Sequence, residues 1–176
     1  MTKKAKLLWV DLEMTGLDPA HDRIIEVAAI ATDWDFIEHA SMETIIHQPP
    51  KVLDAMDEWC TTQHGASGLT ERVKASEVSE TAAEALLLAF LDTHFPGEDK
   101  IILAGNSIHQ DRRFIRKYWP QLDVRLHYRM LDVSSWKVVF EAKYKKRFTK
   151  PEEHRALGDI RGSIMELQYY LDKVKS

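Results

Sequence analysis

An α/β fold, a mixed sheet flanked by helices, is predicted by three features of this 176-residue chain. Runs rich in branched and apolar residues, joined by short turns, occupy the first part of the chain, which suits an antiparallel meander. Strand and helix signals then alternate to the end, the pattern of helices laid against a sheet. Apolar residues at helical spacing mark two amphipathic segments: Ala83, Leu86, Leu87, Phe90 and Leu91, then Ile160, Ile164, Leu167, Leu171 and Val174.

Taken in order, the first strand opens at Leu7-Leu8-Trp9-Val10 and meets the turn residues Gly16-Leu17-Asp18-Pro19. The second strand is Ile24 to Thr32 and the third Phe36 to His47, with Asp33-Trp34-Asp35 as a tight connection; Gln48-Pro49-Pro50 ends the meander. A short helix is predicted over Asp54 to Gln63, with Gly65 and Gly68 punctuating the chain after it. The helix Ser79 to His94 stops at Phe95-Pro96-Gly97. Ile101 to Ala104 is a short buried strand, followed by a helix from about Ser107 to Tyr118 closed by Pro120. Leu126 to Leu131 is the fifth strand, and Ser134 to Lys143 and the Ile160 stripe supply the last helices.

The length suits one domain, 1–176, with an ample core, and no repeat or low-complexity linker divides it. With 44% hydrophobic and 30% charged residues the chain reads as globular. Its net charge of -4 argues against a broad, sequence-blind grip on long nucleic acid, although a small acidic site can still meet phosphate through bound metal. A single cysteine, Cys60, forms no internal disulfide and fits a reducing cytoplasm as a structural residue. No signal peptide is evident, and no window approaches the roughly 20 apolar residues of a membrane span.

Carboxylates occur where packing would not put them. Asp11 and Glu13 project from one side of the first strand, because successive strand residues alternate faces. Two such anions are costly to desolvate without a cation between them, and hard oxygen donors suit magnesium or manganese. The competing reading is a capped turn with a solvated Glu13. Asp111 lies on the apolar stripe Ile108, Ile115, Tyr118 of its helix, where a carboxylate is rarely tolerated without a partner; a salt bridge to Arg112 or Arg113 is the structural alternative. Asp159 borders the Ile160 stripe, and His154 lies five residues before it. On one helix those two would sit roughly 140° apart, so His154 suits a preceding loop and the role of a base rather than a ligand. Several carboxylates converging from separate elements can hold two divalent cations about 3.5–4 Å apart on one phosphate, with a histidine to take a proton from water.

With these residues in view, V-D-L-E at Val10 to Glu13, G-N-S-I-H-Q-D at Gly105 to Asp111 and H-R-A-L-G-D at His154 to Asp159 resemble the three motifs of the DEDDh 3′-to-5′ exonucleases. Longer strings, W-V-D-L-E-M-T-G-L-D-P, R-I-I-E-V-A, A-S-G-L-T-E-R-V, G-N-S-I-H-Q-D-R-R-F and H-Y-R-M-L-D-V-S-S, resemble the oligoribonuclease family within that superfamily, over about Leu7 to Leu171. The resemblance implies a ribonuclease H-like fold with a five-stranded mixed sheet whose second strand is antiparallel. It implies hydrolysis of very short RNAs from the 3′ end to mononucleotides, 5′-phosphorylated dinucleotides above all, with two Mg2+ or Mn2+ ions. Asp11, Glu13, Asp111 and Asp159 are then the metal ligands and His154 the general base. Leu17 is the wedge between two bases, Trp59 the stacking residue and His64 a further pocket position. Ser107, Arg129 and Ser134, with Ser135 as a weaker candidate, cap the 5′ phosphate, and Tyr128 is lent across a homodimer interface.

Plain alternatives stay open at this point: Trp59 as a core residue, Leu17 as an ordinary turn hydrophobe, Tyr128 facing its own sheet. Gly158 is a poor helix residue beside Asp159, costing about 1 kcal/mol against alanine. The basic run Lys143 to Arg147 reads either as a guide for anionic substrate or as a solvated loop. Two rival functions also remain. One is a related exonuclease acting on DNA or longer RNA 3′ ends, against which H-Y-R-M-L-D-V-S-S argues. The other is a non-catalytic nucleotide-binding module, against which the intact acids and His154 argue.

Overall fold

The computed structural model describes residues 4–97, 100–149 and 156–174. Five strands form one sheet: β1 (Leu7–Met14), β2 (Ile24–Thr32), β3 (Glu38–Ile45), β4 (Ile101–Gly105) and β5 (Leu126–Asp132). Their order is β3-β2-β1-β4-β5. β2 runs antiparallel to β1 and β3, whereas β4 and β5 are parallel to β1, so the expected mixed sheet with an antiparallel second strand is the one observed. β2 is buried along its whole length, which its branched side chains suit.

Alternation along β1 divides the core. Leu8, Val10 and Leu12 join one cluster with α4 (Glu80–His94), α5 (Ile108–Tyr118) and α6 (Pro120–Arg125), through Leu87, Phe90, Phe114 and Leu122. Leu7 and Trp9 join the opposite cluster with α7 (Val133–Tyr144) and α8 (Ala156–Val174), through Val133, Ile160 and Ile164. A third cluster packs Leu53 of α1 (Pro50–Leu53) with Leu69 and Val73 of α3 (Leu69–Ala75) on Ile25 of β2. Among the described residues, no helix is long and apolar enough to cross a membrane.

Several expected boundaries move for identifiable reasons. The helix expected over Asp54 to Gln63 is α2 (Glu58–Ala66), which starts four residues later because Asp57 accepts from the Cys60 amide and caps it, and which runs three residues further. Gly65 lies inside α2, while Gly68 takes a left-handed turn, φ 72°, that launches α3. Pro120 does not simply stop α5: it opens α6, where its missing amide costs nothing. Two members of the helical stripes are surface residues instead. Leu86 of α4 and Val174 at the end of α8 are both exposed.

β4 is short and pairs with β1 only from Leu7↔Ile102 to Trp9↔Ala104. Beyond Trp9 this edge of β1 is left to α5, which Gly105 allows to come close. A Cβ on Gly105 would stand 2.9 Å from the Val10 carbonyl oxygen and 2.9 Å from Ile108 Cδ1. Since the backbone oxygen has no room to give, Gly105→Ala is expected to lower stability by about 1–3 kcal/mol and displace the start of α5. Urea denaturation checks the first effect, and a fall in hydrolysis rate larger than the stability loss explains checks the second.

Candidate active site

The face of β1 that packs Leu7 and Trp9 on α8 continues into Asp11 and Glu13. Apolar packing therefore gives way to two carboxylates within one strand, beside the first turn of α8 that carries Asp159. Glu13 and Asp159 line a cavity of about 250 Å³ together with Glu26, Trp59, His64 and Arg72. The Glu13 carboxyl is pushed up to about 7, chiefly by burial and then by the charges of Glu26 and Asp159. Glu26 is its cross-strand partner on β2.

Asp111 reaches the same strand from the other direction. It is 7% exposed, and Oδ1 accepts from the Leu12 amide at 3.0 Å, on the edge of β1 that β4 does not cover. Burial pushes its carboxyl up to about 7 against that hydrogen bond, with Glu13 adding to the rise. The adjacent arginines are engaged elsewhere: Arg112 with Asp123 at 2.6 Å and the His127 carbonyl, Arg113 with Gln110 and the Leu17 carbonyl. The salt-bridge alternative for Asp111 is thus not what the structure contains.

The turn after β1 is built to hold a shape. Asp22 accepts from Thr15 Oγ1 and the Asp18 amide, and the Tyr118 hydroxyl is shared between the Pro19 and Asp22 carbonyls. A Cβ on Gly16 would sit 2.4 Å from Asp22 Oδ2, so a larger residue there would displace the Asp22 carboxylate from these hydrogen bonds. Gln110 Nε2 donates to the Leu17 carbonyl at 2.6 Å, tying the turn to the helix of Asp111. Leu17 itself is 69% exposed, and Trp59 on the first turn of α2 is 68% exposed; neither belongs to the core. His64 is buried, and because a carbonyl can only accept, its Nε2 donates to the Met14 carbonyl at 2.9 Å. It clamps α2 onto the end of the acidic strand.

A second polar knot forms where β4 and β5 deliver their chain ends. Asp132 Oδ1 accepts from the amides of both Ser107 and Ser134, and the two hydroxyls lie 3.1 Å apart. Ser107 is held at φ 49°, an uncommon conformation for a residue with a side chain. Ser135 is not brought to this pair. Neighbours on a helix diverge, and Ser135 lines a separate cavity of about 780 Å³ bounded by Trp136, Phe140, Tyr144 and Lys173. That cavity is mostly apolar and holds none of the acids. Arg129 is exposed, with its guanidinium 5.3 Å from the centre of the Tyr128 ring. Tyr128 is 75% exposed on the edge strand β5 and stacks on His127 rather than entering its own core.

His154 lies outside the described residues. Gly158 sits within α8, which begins at Ala156. The basic run Lys143 to Arg147 wraps the end of α7, where Lys145 donates to the Ala142 carbonyl and Arg147 pairs with Glu141. Cys60 is buried, and its thiol is pushed up to about 11 by burial and by Asp57, which fits a structural cysteine and not a nucleophile. Sequence reasoning missed Glu26 and Arg72, whose 3.0 Å ion pair borders Glu13. The signal was present: a lone carboxylate inside the wholly buried run of β2 is as anomalous as Asp111 on its helix.

The exonuclease family model RNase_T matches residues 8–167. The chain belongs to this exonuclease family and is a nuclease, a hydrolase of nucleic-acid phosphodiesters. Its curated relatives sharpen that class to the oligoribonuclease family. The chain is 50% identical over 177 residues to an oligoribonuclease of Marinobacter nauticus, covering 98% of this chain and 97% of that one. It is 51% identical over 168 residues to one of Vibrio cholerae, covering 93% and 92%. Among solved structures it is similar to a product-bound exonuclease I, with a TM-score of 0.71 at 16% identity, covering 97% of this chain and 44% of that one. A zinc-bound complex of E. coli exonuclease I with single-stranded DNA gives 0.71 at 15% identity, covering 99% and 41%. This chain therefore spans less than half of those proteins, and the likeness shows a shared ribonuclease H-like fold.

Proposed function

We propose that the protein is a 3′-to-5′ exoribonuclease that hydrolyses short oligoribonucleotides, 5′-phosphorylated dinucleotides above all, to mononucleotides. The observation that carries this reading is Asp111: a carboxylate buried on a packing face, hydrogen-bonded to the strand of Asp11 and Glu13. With Asp159 these acids form a set of hard oxygen donors whose mutual repulsion a divalent cation relieves, so the residues fit Mg2+ or Mn2+. Among the described residues, no three such side chains are already gathered into a closed clasp. Divalent cations, when bound, supply charge neutralisation at the scissile phosphate and lower the pKa of water.

The chain's own residues do the rest. His154 takes a proton from the attacking water as the water oxygen bonds to phosphorus and the bond to the 3′ oxygen of the preceding nucleotide breaks, and that departing oxygen takes up a proton from solvent to become a 3′ hydroxyl. Leu17, on its braced turn, stands between the two bases, and Trp59 stacks on one of them, a contact worth about 1–3 kcal/mol and tolerant of sequence. His64 holds the strand end beneath. Ser107 and Ser134, fixed by Asp132, present hydroxyls that with Arg129 cap the 5′ phosphate and limit length. Tyr128, exposed on an edge strand, is offered to the site of a second copy in a homodimer. A substrate-length series with 5′-phosphorylated RNA and Mg2+ tests the reading: dinucleotides are expected to be cleaved fastest. Binding without cleavage would instead establish a nucleotide-binding module, and a preference for DNA or long RNA a different exonuclease.

A further inference from the structure

Helix α5 carries two faces of opposite character. One holds Ile108, Asp111, Ile115 and Tyr118 against the sheet and the turn after β1. The other bears His109, Arg112, Arg113, Arg116 and Lys117, at i, i+3, i+4, i+7 and i+8. Spacing that usually marks a core face here marks a line of basic side chains, in a chain whose net charge is -4. Asp123 offsets part of it, binding Arg112 closely and lying 3.7 Å from Arg116. All five side chains border an open, shallow surface of about 510 Å³ that Pro19 and Met130 also line.

The position of this surface gives it meaning. At one end Arg113 touches the Leu17 carbonyl. At the other, His109 Nδ1 lies 3.5 Å from Asp132 Oδ2, and the second oxygen of Asp132 holds Ser107 and Ser134. Two of the groove's lining residues thus touch the supports of the base wedge and of the 5′-phosphate cap. The geometry points to the cationic face of α5 as the track for the phosphodiester backbone of RNA longer than two nucleotides, upstream of the residues held in the cleft. This rests on the exoribonuclease reading above and deepens it: the cap sets the preferred length, and the α5 groove receives what exceeds it.

The test is the Arg116→Gln/Lys117→Gln variant, compared with the wild type on a 5′-phosphorylated dinucleotide and a heptanucleotide. Both side chains are outside the catalytic set, so dinucleotide hydrolysis is expected to stay within about twofold, which also reports an intact fold. Heptanucleotide affinity, read by fluorescence anisotropy in chelator, is expected to fall about fivefold or more at low salt, with the salt slope reduced by about 1.4 for two lost phosphate contacts. An unchanged affinity and slope for the heptanucleotide would overturn the track, as would equal losses on both lengths. Because the binding measurement needs no turnover, absence of dinucleotide cleavage by the wild type would count against the exoribonuclease reading alone.

Discussion

Asp111→Asn is expected to lose roughly 10³-fold or more in kcat, the scale of several kcal/mol of charge stabilisation at a transferring phosphate. Yet in metal-free buffer at about pH 8 the same variant is expected to melt higher than the wild type. The substitution keeps the shape and an oxygen to accept from the Leu12 amide, so packing at the edge of β1 is preserved. What it removes is a titrating charge. The Asp111 carboxyl is raised from an ordinary 3.8 to about 7 in the folded chain. The folded state therefore binds its proton more tightly than the unfolded one, and stability falls as pH rises between those values. Above about pH 7 the full penalty, on the order of a few kcal/mol, persists in the wild type and is absent from the variant. Below about pH 4 the two should melt alike.

Divalent cation should reverse the order at high pH, because it stabilises the wild type by mass action and finds one ligand fewer in the variant. Glu13, also raised to about 7, keeps part of the pH slope in both proteins. Thermal melts across pH with chelator, then with Mn2+, read all of this. A variant that retains wild-type turnover would remove Asp111 from the site. A lower melting temperature at high pH would mean that its charge is compensated in the free protein.

The acids are legible in the sequence because each breaks a packing rule that depends only on residue type and spacing. Asp11 and Glu13 interrupt an apolar strand on one face, and Asp111 interrupts a helical stripe. The same rule applied to Ile24 to Thr32 singles out Glu26, which belongs to none of the three motifs. Arg72 was beyond reach, since its pairing with Glu26 depends on α3, a helix that an expected element over Asp54 to Gln63 followed by punctuation at Gly65 and Gly68 does not include. The mixed sheet followed from strand order and loop length, while Leu86 and Val174 show that helical spacing names a face without saying where that face stops being covered. The brace on Leu17 from Gln110 and Arg113 spans more than ninety residues of sequence. No local pattern announces such a contact. Nor does one announce that Asp132 would hold both serines, although it directly follows the expected strand Leu126 to Leu131 and stands two residues before Ser134.

That pairing makes the behaviour of Arg129 predictable in some detail. Arg129→Ala is expected to cost about tenfold to hundredfold in kcat/KM on a 5′-phosphorylated dinucleotide, mostly through KM, since a charge-assisted hydrogen bond to phosphate contributes roughly 1.5–3 kcal/mol. Arg129 is exposed, so the melting temperature should not move. The same dinucleotide without its 5′ phosphate should be cleaved by wild type and variant within about twofold, because the lost partner is absent from both comparisons. An oligonucleotide of several residues should lose less than the dinucleotide, its 5′ end lying beyond the cap. Arg129→Lys should recover only part of the loss, since an ammonium restores the charge without the two-pronged geometry of the guanidinium. Ser107 and Ser134 remain in place in every variant, their amides being held by Asp132 and not by Arg129. Equal losses with and without the 5′ phosphate would therefore assign Arg129 to the surface around Tyr128, and the length preference to some other wall of the cleft.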